Sequence, residues 1–143
     1  MRDTPSIKSR EMKIIHNMPI SKTLKFWEGL KEGKIYGTKC VKCGKLYFPP
    51  VIDCGECLSS EIEWVRLGDE AEIETFTQVV ARPATFCESD PYIVAIGRLK
   101  EGVKVLAWLN GVKLPHIKIG MKVKLQAKVF PDGNLAFEFT PLE

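Results

Sequence analysis

Four of the five cysteines form two close pairs with the spacing of a single metal site. Cys40 and Cys43 make one Cys-x2-Cys pair, and Cys54 and Cys57 make a second pair after ten intervening residues. Each thiolate offers one soft sulfur ligand, and a loop of this length can fold back so that four sulfurs surround one ion. A redox Cys-x2-Cys motif would instead stand alone and open a helix. The spacing therefore predicts a four-cysteine metal site.

The donor set favours zinc over two alternatives, rubredoxin-like iron and a pair of disulfides. Iron can use the same four sulfurs, whereas disulfides need an oxidising compartment, of which the sequence gives no sign. Because the protein supplies all four ligands, the ion has no open position for water or substrate. We therefore expect structural Zn²⁺ that folds the segment around it. Four thiolates and one Zn²⁺ together carry −2, which lowers the formal charge from +3 to +1.

The other residues that could do chemistry do not form a catalytic set. Cys87 lies apart from the four clustered cysteines, and neither His16 nor His116 has the spacing of a metal ligand or of a base beside a nucleophile. The sequence has no phosphate-binding or dinucleotide-binding glycine motif. We interpret Cys87 as a loop thiol and predict that the chain is not an enzyme by itself.

The composition is that of a globular domain whose charges are segregated along the chain. Hydrophobic residues make up 45% and charged residues 27% of the 143 residues, which excludes collagen-like and wholly disordered chains. Residues 1–48 carry 11 Lys and Arg against 4 Asp and Glu, whereas the remainder carries 10 against 14. Two faces of opposite charge follow, either as solvated strand faces or as a docking surface for a partner or a phosphate-bearing ligand.

The sequence shows no membrane or export segment. It has no run of 18 apolar residues, and its first residues are too polar for a secretory signal peptide. We expect a cytoplasmic protein without a membrane span.

Helical periodicity is confined to the N-terminal part of the chain. Apolar side chains recur there at helical spacing, at Leu24, Trp27 and Leu30. With Ser21 as the candidate N-cap and Gly33 just after the C-terminal end, we predict a helix over residues 22–32. A weaker helical pattern covers residues 5–16. Residues 1–33 thus form a predicted helical arm that must pack on the rest of the chain or on a partner.

Short strands are predicted after the arm. The ribbon, residues 34–66, holds the cysteines and two strands at residues 46–48 and 62–65. In the next segment, apolar and polar residues alternate with the period of a strand. Five strands are predicted there, at residues 71–79, 92–99, 103–109, 121–129 and 135–139. In the first of these the expected inward face is Ala71, Ile73, Thr75, Thr77 and Val79.

Five strands in about 70 residues, the first long and bent, are typical of a closed barrel of the OB type, with a two-sheet sandwich as the alternative. Residues 111–120 leave room for one helical turn at most, so we expect the N-terminal helix to plug one barrel end instead. The predicted fold class is mainly β, with an N-terminal helical arm (1–33), a rubredoxin-like zinc ribbon (34–66) and a five-stranded OB-fold barrel (67–143).

The order of these parts resembles one known family. A segment with Phe26, Trp27, Leu30 and Gly33 precedes CVKCGKLYFPP, CGEC follows, and the barrel segment contains PY-x-V-A and IGMKV. This order is similar to that of the acyl-CoA-associated zinc-ribbon and OB-fold proteins called domain of unknown function 35, and it covers nearly the whole chain after the first 20 residues. Val51 departs from the family, in which arginine frequently follows the two prolines, so no role of that charge is carried over.

The resemblance implies an accessory role beside thiolase-superfamily enzymes. Archaeal members bridge acetoacetyl-CoA thiolase and hydroxymethylglutaryl-CoA synthase in the mevalonate pathway and help to hold the CoA moiety. Other members accompany thiolase-like proteins in lipid or steroid degradation. For this chain we therefore expect a thiolase-superfamily partner and an acyl-CoA ligand, on the strength of family likeness and not of the fold.

Candidate binding residues follow from the chemistry of CoA. An anionic CoA needs cationic and apolar contacts. The candidates of suitable type on the predicted barrel are Arg82, Tyr92, Arg98, Lys104 and Trp108. In the helical arm, Phe26 and Trp27 are candidate partner-docking residues, with core packing as the alternative.

Single-stranded nucleic-acid binding is the main rival function, because zinc ribbons and OB folds both serve it. Such a protein needs a basic groove with exposed aromatic side chains on which bases stack. Aromatic residues are only 9% of this chain, and its formal charge with zinc is near zero. The sequence therefore favours an acyl-CoA accessory protein over a nucleic-acid module.

Overall fold

The computed structural model describes residues 5, 7, 15–81 and 90–142. The described elements are, in chain order, a 3-10 turn at Ser21–Thr23, α1 (Leu24–Lys31), β1 (Tyr36–Cys40), β2 (Leu46–Tyr47), β3 (Ile62–Arg66), β4 (Glu70–Val79), β5 (Tyr92–Leu99), β6 (Lys104–Leu109), a 3-10 turn at Leu114–His116, β7 (Lys122–Val129) and β8 (Leu135–Pro141). The mainly β prediction is confirmed. In this part of the chain no helix combines the length and the apolar character that crossing a bilayer requires.

Helix α1 ends as predicted but begins differently. No side-chain hydrogen bond caps α1 or the turn before it, so the prediction of Ser21 as N-cap was wrong. At the other end Gly33 has a φ of +72°. Its N–H donates to the Leu30 carbonyl at 3.1 Å, and the Lys34 N–H donates to the Gly29 carbonyl at 2.8 Å. This pair of bonds is the Schellman ending, which favours glycine at the left-handed position.

The ribbon is a three-stranded antiparallel sheet with β1 in the centre, between β2 and β3. β1 was not predicted, because its residues lack an apolar-polar alternation. Gly37 is needed there, since a Cβ at this position would lie 2.6 Å from the Tyr47 carbonyl oxygen. The Leu67 N–H donates to the Ile35 carbonyl at 2.9 Å and continues the pairing toward the barrel.

The five remaining strands close into a barrel in the order β4-β5-β6-β8-β7. Neighbouring strands pair antiparallel except β6 and β8, which run parallel. The prediction of an OB-type barrel is confirmed, and the sandwich alternative is excluded by the closure. Residues 114–116 form a single 3-10 turn where many OB barrels have a helix.

A β-bulge divides β4 into two halves. The register with β5 shifts between Ile73 and Thr75. Before the bulge the alternation is as predicted, and the Ile73 side chain is buried. Beyond it Thr75 and Thr77 are exposed, and Phe76 packs against the core instead. The predicted inward orientation of Thr75 and Thr77 was therefore wrong, because the extra residue moves the alternation by one.

Helix α1 packs against β7 and β8 and completes the barrel core. Phe26 and Leu30 are buried in the same cluster as the barrel interior. The Phe26 ring lies edge-on to Phe48 of the ribbon at 5.9 Å and to Phe137 of β8 at 6.4 Å between centroids. The N-terminal helix thus supplies the packing that an inserted OB helix would otherwise give.

Candidate metal centre and outer barrel face

Two tight turns hold the four cysteines. Cys40 is the last residue of β1, and its carbonyl accepts a hydrogen bond from the Gly44 N–H at 2.9 Å. In the second turn the Leu58 N–H donates to the Cys54 carbonyl at 3.0 Å. Gly44 has a φ of +75° and Leu58 has a φ of +57°, so both turns use the left-handed region. The first turn has a glycine in the left-handed position, whereas the second has Leu58.

The four sulfur atoms form one cluster. All four Sγ atoms lie within 4.8 Å of one another. The Cys40–Cys57 and Cys43–Cys54 Sγ separations are both 3.5 Å. Tetrahedral coordination with metal–sulfur bonds of about 2.3 Å separates sulfurs by about 3.8 Å. The donor set and its spacing therefore fit a tetrahedral Zn²⁺, which Cys40, Cys43, Cys54 and Cys57 would hold.

Tyr47 of β2 contacts this cluster and was not predicted. Its hydroxyl lies 3.2 Å from the Cys54 Sγ and accepts a hydrogen bond from the Gly55 N–H at 3.1 Å. The pKa of the Cys54 thiol is lowered to about 6, and the largest cause is its hydrogen bond with this hydroxyl. The geometry thus favours a thiolate at Cys54. No cysteine spacing indicates such a contact, because it depends on the pairing of β1 with β2.

The four-cysteine cluster is a closed site. Cys40 and Cys54 are buried, and each of the four ligands comes from the protein. An ion held in this way cross-links the two turns and has no free position for a reacting molecule. The cluster is therefore a structural metal site within the ribbon.

Two of the predicted CoA-binding residues, Tyr92 and Trp108, lie together on the outer face of the barrel. Tyr92 begins β5, and Trp108 is on β6 next to it. Their rings stack at 4.4 Å between centroids with an angle of 8° between planes. The Trp108 side chain still has 40% of its surface exposed. The pair forms a partly exposed aromatic patch at one end of this face.

The two predicted cationic residues, Arg98 and Lys104, lie together at the other end of the same face. They are directly opposite each other on β5 and β6. Both pair with Glu74 at the bulge of β4, Lys104 at 2.8 Å between Nζ and Oε2. The hydrogen bond from Lys104 is the largest cause that holds the pKa of Glu74 below its usual range, and Arg98 adds to it. Arg98, Lys104 and Glu74 together carry one net positive charge.

The four described CoA-binding candidates therefore form two separate pairs, Tyr92 with Trp108 and Arg98 with Lys104, and do not form a single site. Tyr92 and Arg98 are six residues apart on β5, which is about 20 Å along a strand. Arg82 and Cys87 lie outside the described residues, as does most of the predicted helical segment 5–16. His16 and His116 are both exposed.

The two predicted docking residues differ in their surroundings. Phe26 is only 4% exposed and packs in the core, so its ring has no face for a partner, and the alternative interpretation of core packing applies to it. Trp27 is partly buried against the core, and its indole N–H donates to the Thr23 hydroxyl at 3.2 Å. Of the two, only Trp27 remains a docking candidate.

A polar cluster at the β6–β8 seam was missed by the sequence analysis. Glu138 is 9% exposed and accepts hydrogen bonds from Asn110 at 2.6 Å and Lys128 at 2.8 Å. Gln126 donates to the same carboxylate at 3.4 Å. Burial acts to raise the pKa of Glu138, but these three donors outweigh it and lower the pKa. Gln126 and Lys128 lie on β7 and Asn110 follows β6, all distant from Glu138 in the sequence, so no local pattern indicates the cluster.

Comparison with known proteins gives matches to both parts of the fold. Residues 27–63 match the rubredoxin-like zinc ribbon domain of ChsH2, and residues 64–128 match its C-terminal OB-fold domain. A DUF35 domain-containing scaffold protein of Pyrococcus furiosus is 34% identical over 125 residues, with 82% of this chain and 91% of the relative covered. The match therefore spans nearly the full length of that relative.

Two further matches are to parts of enzymes. The 3-oxo-4,17-pregnadiene-20-carboxyl-CoA hydratase alpha subunit of Mycobacterium tuberculosis is 29% identical over 110 residues, covering 77% of this chain but only 35% of the subunit. The solved structure of the Ltp2-ChsH2(DUF35) aldolase superposes with a TM-score of 0.69 at 26% identity, covering 83% of this chain and 93% of the matched chain. With its four-cysteine ribbon and its OB-fold barrel, this chain belongs to the DUF35 family of ChsH2-type zinc-ribbon and OB-fold proteins.

Proposed function

We propose that this chain is a non-catalytic scaffold subunit that associates with a thiolase-superfamily enzyme and helps to hold its acyl-CoA. The observation that carries the proposal is the closed four-cysteine centre, in a chain whose relative in Pyrococcus furiosus is a scaffold protein. Outside this centre the described residues include no thiol, and both histidines are exposed. The carboxylates with shifted pKa values are paired with cations or amides and not with a nucleophile.

The metal in this proposal is one Zn²⁺ per chain, with a structural role. Four thiolates at tetrahedral spacing are a donor set that zinc prefers, and the closed shell suits an ion that does not take part in a reaction. Bound Zn²⁺ would cross-link the two cysteine turns. The ribbon itself lies next to the barrel because β3 leads directly into β4.

The partner enzyme that we propose is acetoacetyl-CoA thiolase, hydroxymethylglutaryl-CoA synthase or both. The chain would then serve the conversion of acetoacetyl-CoA to hydroxymethylglutaryl-CoA in an archaeal mevalonate pathway, or a related step of acyl-CoA metabolism. Three findings support an enzyme partner in acyl-CoA chemistry: the family resemblance, the CoA hydratase subunit that shares this segment and the aldolase assembly that contains a similar chain.

The outer barrel face is the proposed contact for acyl-CoA. Arg98 and Lys104 both pair with Glu74, and the one net positive charge that the three side chains keep is the proposed contact for a phosphate group. The stacked Tyr92 and Trp108 offer an apolar surface. Arg82 completes the proposed set. In the enzyme complex we expect Arg98→Ala to weaken CoA binding about 10- to 150-fold, since charge-assisted hydrogen bonds contribute about 1.5–3 kcal/mol. Lys100→Ala is the matched control, and equal CoA affinity of the two variants would remove Arg98 from the set.

The rival function of single-stranded nucleic-acid binding has less support. Such binding needs a groove of unpaired cations along the strands. On the described barrel surface, six of the eight Lys and Arg side chains in residues 92–129 lie in ion pairs with acidic partners: Arg98, Lys100, Lys104, Lys122, Lys124 and Lys128. This pairing lowers the positive potential that a phosphate backbone would meet.

Affinity purification tests the proposed function. The tagged protein is purified from its own cells in buffer that contains zinc, and every retained protein is identified by mass spectrometry. We expect a thiolase-superfamily enzyme in the eluate. Recovery of ribosomal proteins or nucleic acid, without any such enzyme at any salt concentration, would support the rival function instead.

A further inference from the structure

The barrel is closed by a short seam. β6 and β8 pair at only two positions, Trp108 with Glu138 and Leu109 with Phe139. Within the described chain, residues 104–107 of β6 therefore have β5 as their sole strand partner. A strand in this position leaves backbone groups unpaired along one edge.

The hydrogen-bond pattern shows which backbone groups face this open edge. The Leu99 N–H donates to the Val103 carbonyl at 2.9 Å, so odd-numbered residues of β6 face β5. The Asn110 N–H donates to the Phe139 carbonyl of β8 at 2.9 Å, so even-numbered residues face the seam. Leu106 is therefore the central residue whose N–H and C=O point away from β5 at the open edge.

The seam opens into a groove with an apolar lining. Leu106, which is 63% exposed, and Phe130, which is 39% exposed, both line it. Leu135 and Phe137 of β8 line the groove opposite β6. Among the described residues that line the groove, the only charged ones are Lys128 and Glu138, which pair at 2.8 Å and cancel. The groove therefore has no net charge to attract a charged segment.

We propose that this groove receives an extended, uncharged segment of a partner protein, which pairs with the backbone of β6 at Leu106. The N–H and C=O of Leu106 that face away from β5 have no strand partner among the described residues and match an added strand. The neutral apolar lining matches alternating apolar side chains on that strand. The proposal deepens the scaffold function and rests on it for the identity of the partner, which would be the associated enzyme.

A displayed library of random ten-residue linear peptides tests the groove without the enzyme. The zinc-loaded full chain is the bait, and the recovered peptides are sequenced. We expect enrichment of uncharged peptides with apolar residues at alternate positions. For an enriched peptide we expect slower hydrogen exchange at the Leu106 amide when it is bound. A library that yields no binder, or binders that leave this amide unprotected, would overturn the proposal.

Two variants of Leu106 and one control sharpen the test. Leu106→Pro removes the N–H that faces the groove but leaves the pairing with β5, a position where strands tolerate proline. Leu106→Glu places a charge among the apolar side chains of the groove. It tests the same contact if the Leu106→Pro protein does not fold. We expect each to weaken peptide binding about tenfold. Ile119→Glu, at an exposed residue away from the groove, should bind like the parent.

The two proposals can fail separately. If peptides bind through Leu106 but no thiolase-superfamily enzyme is recovered from cells, the groove stands and the scaffold function falls. If the enzyme is recovered and its binding is the same for the parent and for Leu106→Glu, the groove proposal falls and the scaffold function stands.

Discussion

The Tyr47 hydroxyl lies 3.2 Å from the Sγ of Cys54 and accepts a hydrogen bond from the Gly55 N–H. Tyr47 belongs to β2, whereas Cys54 opens the second cysteine turn. This one side chain therefore joins the sheet of the ribbon to a metal ligand. Groups of this kind orient the ligand and stabilise the charged sulfur that the metal binds.

Tyr47→Phe should speed the loss of metal while leaving the four sulfurs in place. Loss of a partner that orients a metal ligand typically lowers metal affinity by about 10- to 100-fold, because the thiolate is less stabilised. The measurement is the rate of Zn²⁺ transfer to a coloured chelator. Tyr36→Phe in β1 is the matched control, since its ring contacts Lys25 and not the cysteines. Equal transfer rates for the two variants would show that the Tyr47 hydroxyl does not hold Cys54.

Cys40→Ser should abolish metal binding and unfold the ribbon. The Cys40 side chain is fully buried at the end of β1, and with three sulfurs the tetrahedral shell is incomplete. Because metal binding and folding are coupled in small zinc domains, loss of the ion removes the sheet as well. Metal content by atomic emission and backbone amide signals by NMR check this. One metal per chain with unchanged amide signals would mean that another set of ligands holds the ion.

Much of the fold and the metal site could be predicted from the sequence, because both depend on local spacing. The two cysteine pairs are visible as a motif, and period-two alternation indicates most barrel strands. Alternation predicts an inward Thr75 because it carries no sign of the bulge, which depends on the pairing of β4 with β5. Tyr47 and Glu138 were missed for the same reason. Their partners, Cys54 and Asn110, lie in other parts of the chain, and only the tertiary fold brings them within hydrogen-bond distance.

Gly97→Ala should destabilise the barrel. A Cβ at this position on β5 would lie 2.7 Å from Cζ of Phe139 and 3.3 Å from Cβ of Ala71. Phe139 is fully buried and cannot move aside, so we expect a loss of about 1–3 kcal/mol in the free energy of unfolding. Urea unfolding of zinc-loaded protein measures it.

The double variant Gly97→Ala, Phe139→Leu identifies the cause. If the contact with the Phe139 ring produces the strain, the double variant should lose less stability than the sum of the two single variants. Additive losses would place the strain elsewhere.

Glu138→Gln should change how stability depends on pH. The lowered pKa of Glu138 in the folded protein means that its ionised form stabilises the fold. That stabilisation is fully present above the ordinary glutamate pKa of about 4.3 and is lost as the pH falls through the lower folded value. We expect the variant to be about 1–3 kcal/mol less stable at pH 7, with a difference that shrinks below pH of about 4.

Unfolding in urea at a series of pH values gives this difference directly. Glu63→Gln on β3, where the side chain is exposed, is the control for the loss of one carboxylate. A Glu138→Gln difference that is constant from neutral to acid pH would contradict the role of the ionised carboxylate at the seam.

The central claim, a scaffold beside an acyl-CoA enzyme, is tested most directly by native mass spectrometry of the complex purified from the protein's own cells. We predict a particle that contains this chain with one Zn²⁺ and a thiolase-superfamily enzyme in a fixed ratio. That ratio should persist as salt is raised, because the proposed groove contact is uncharged. A zinc-loaded chain that is recovered without any such enzyme, or with nucleic acid that salt removes, would contradict the account.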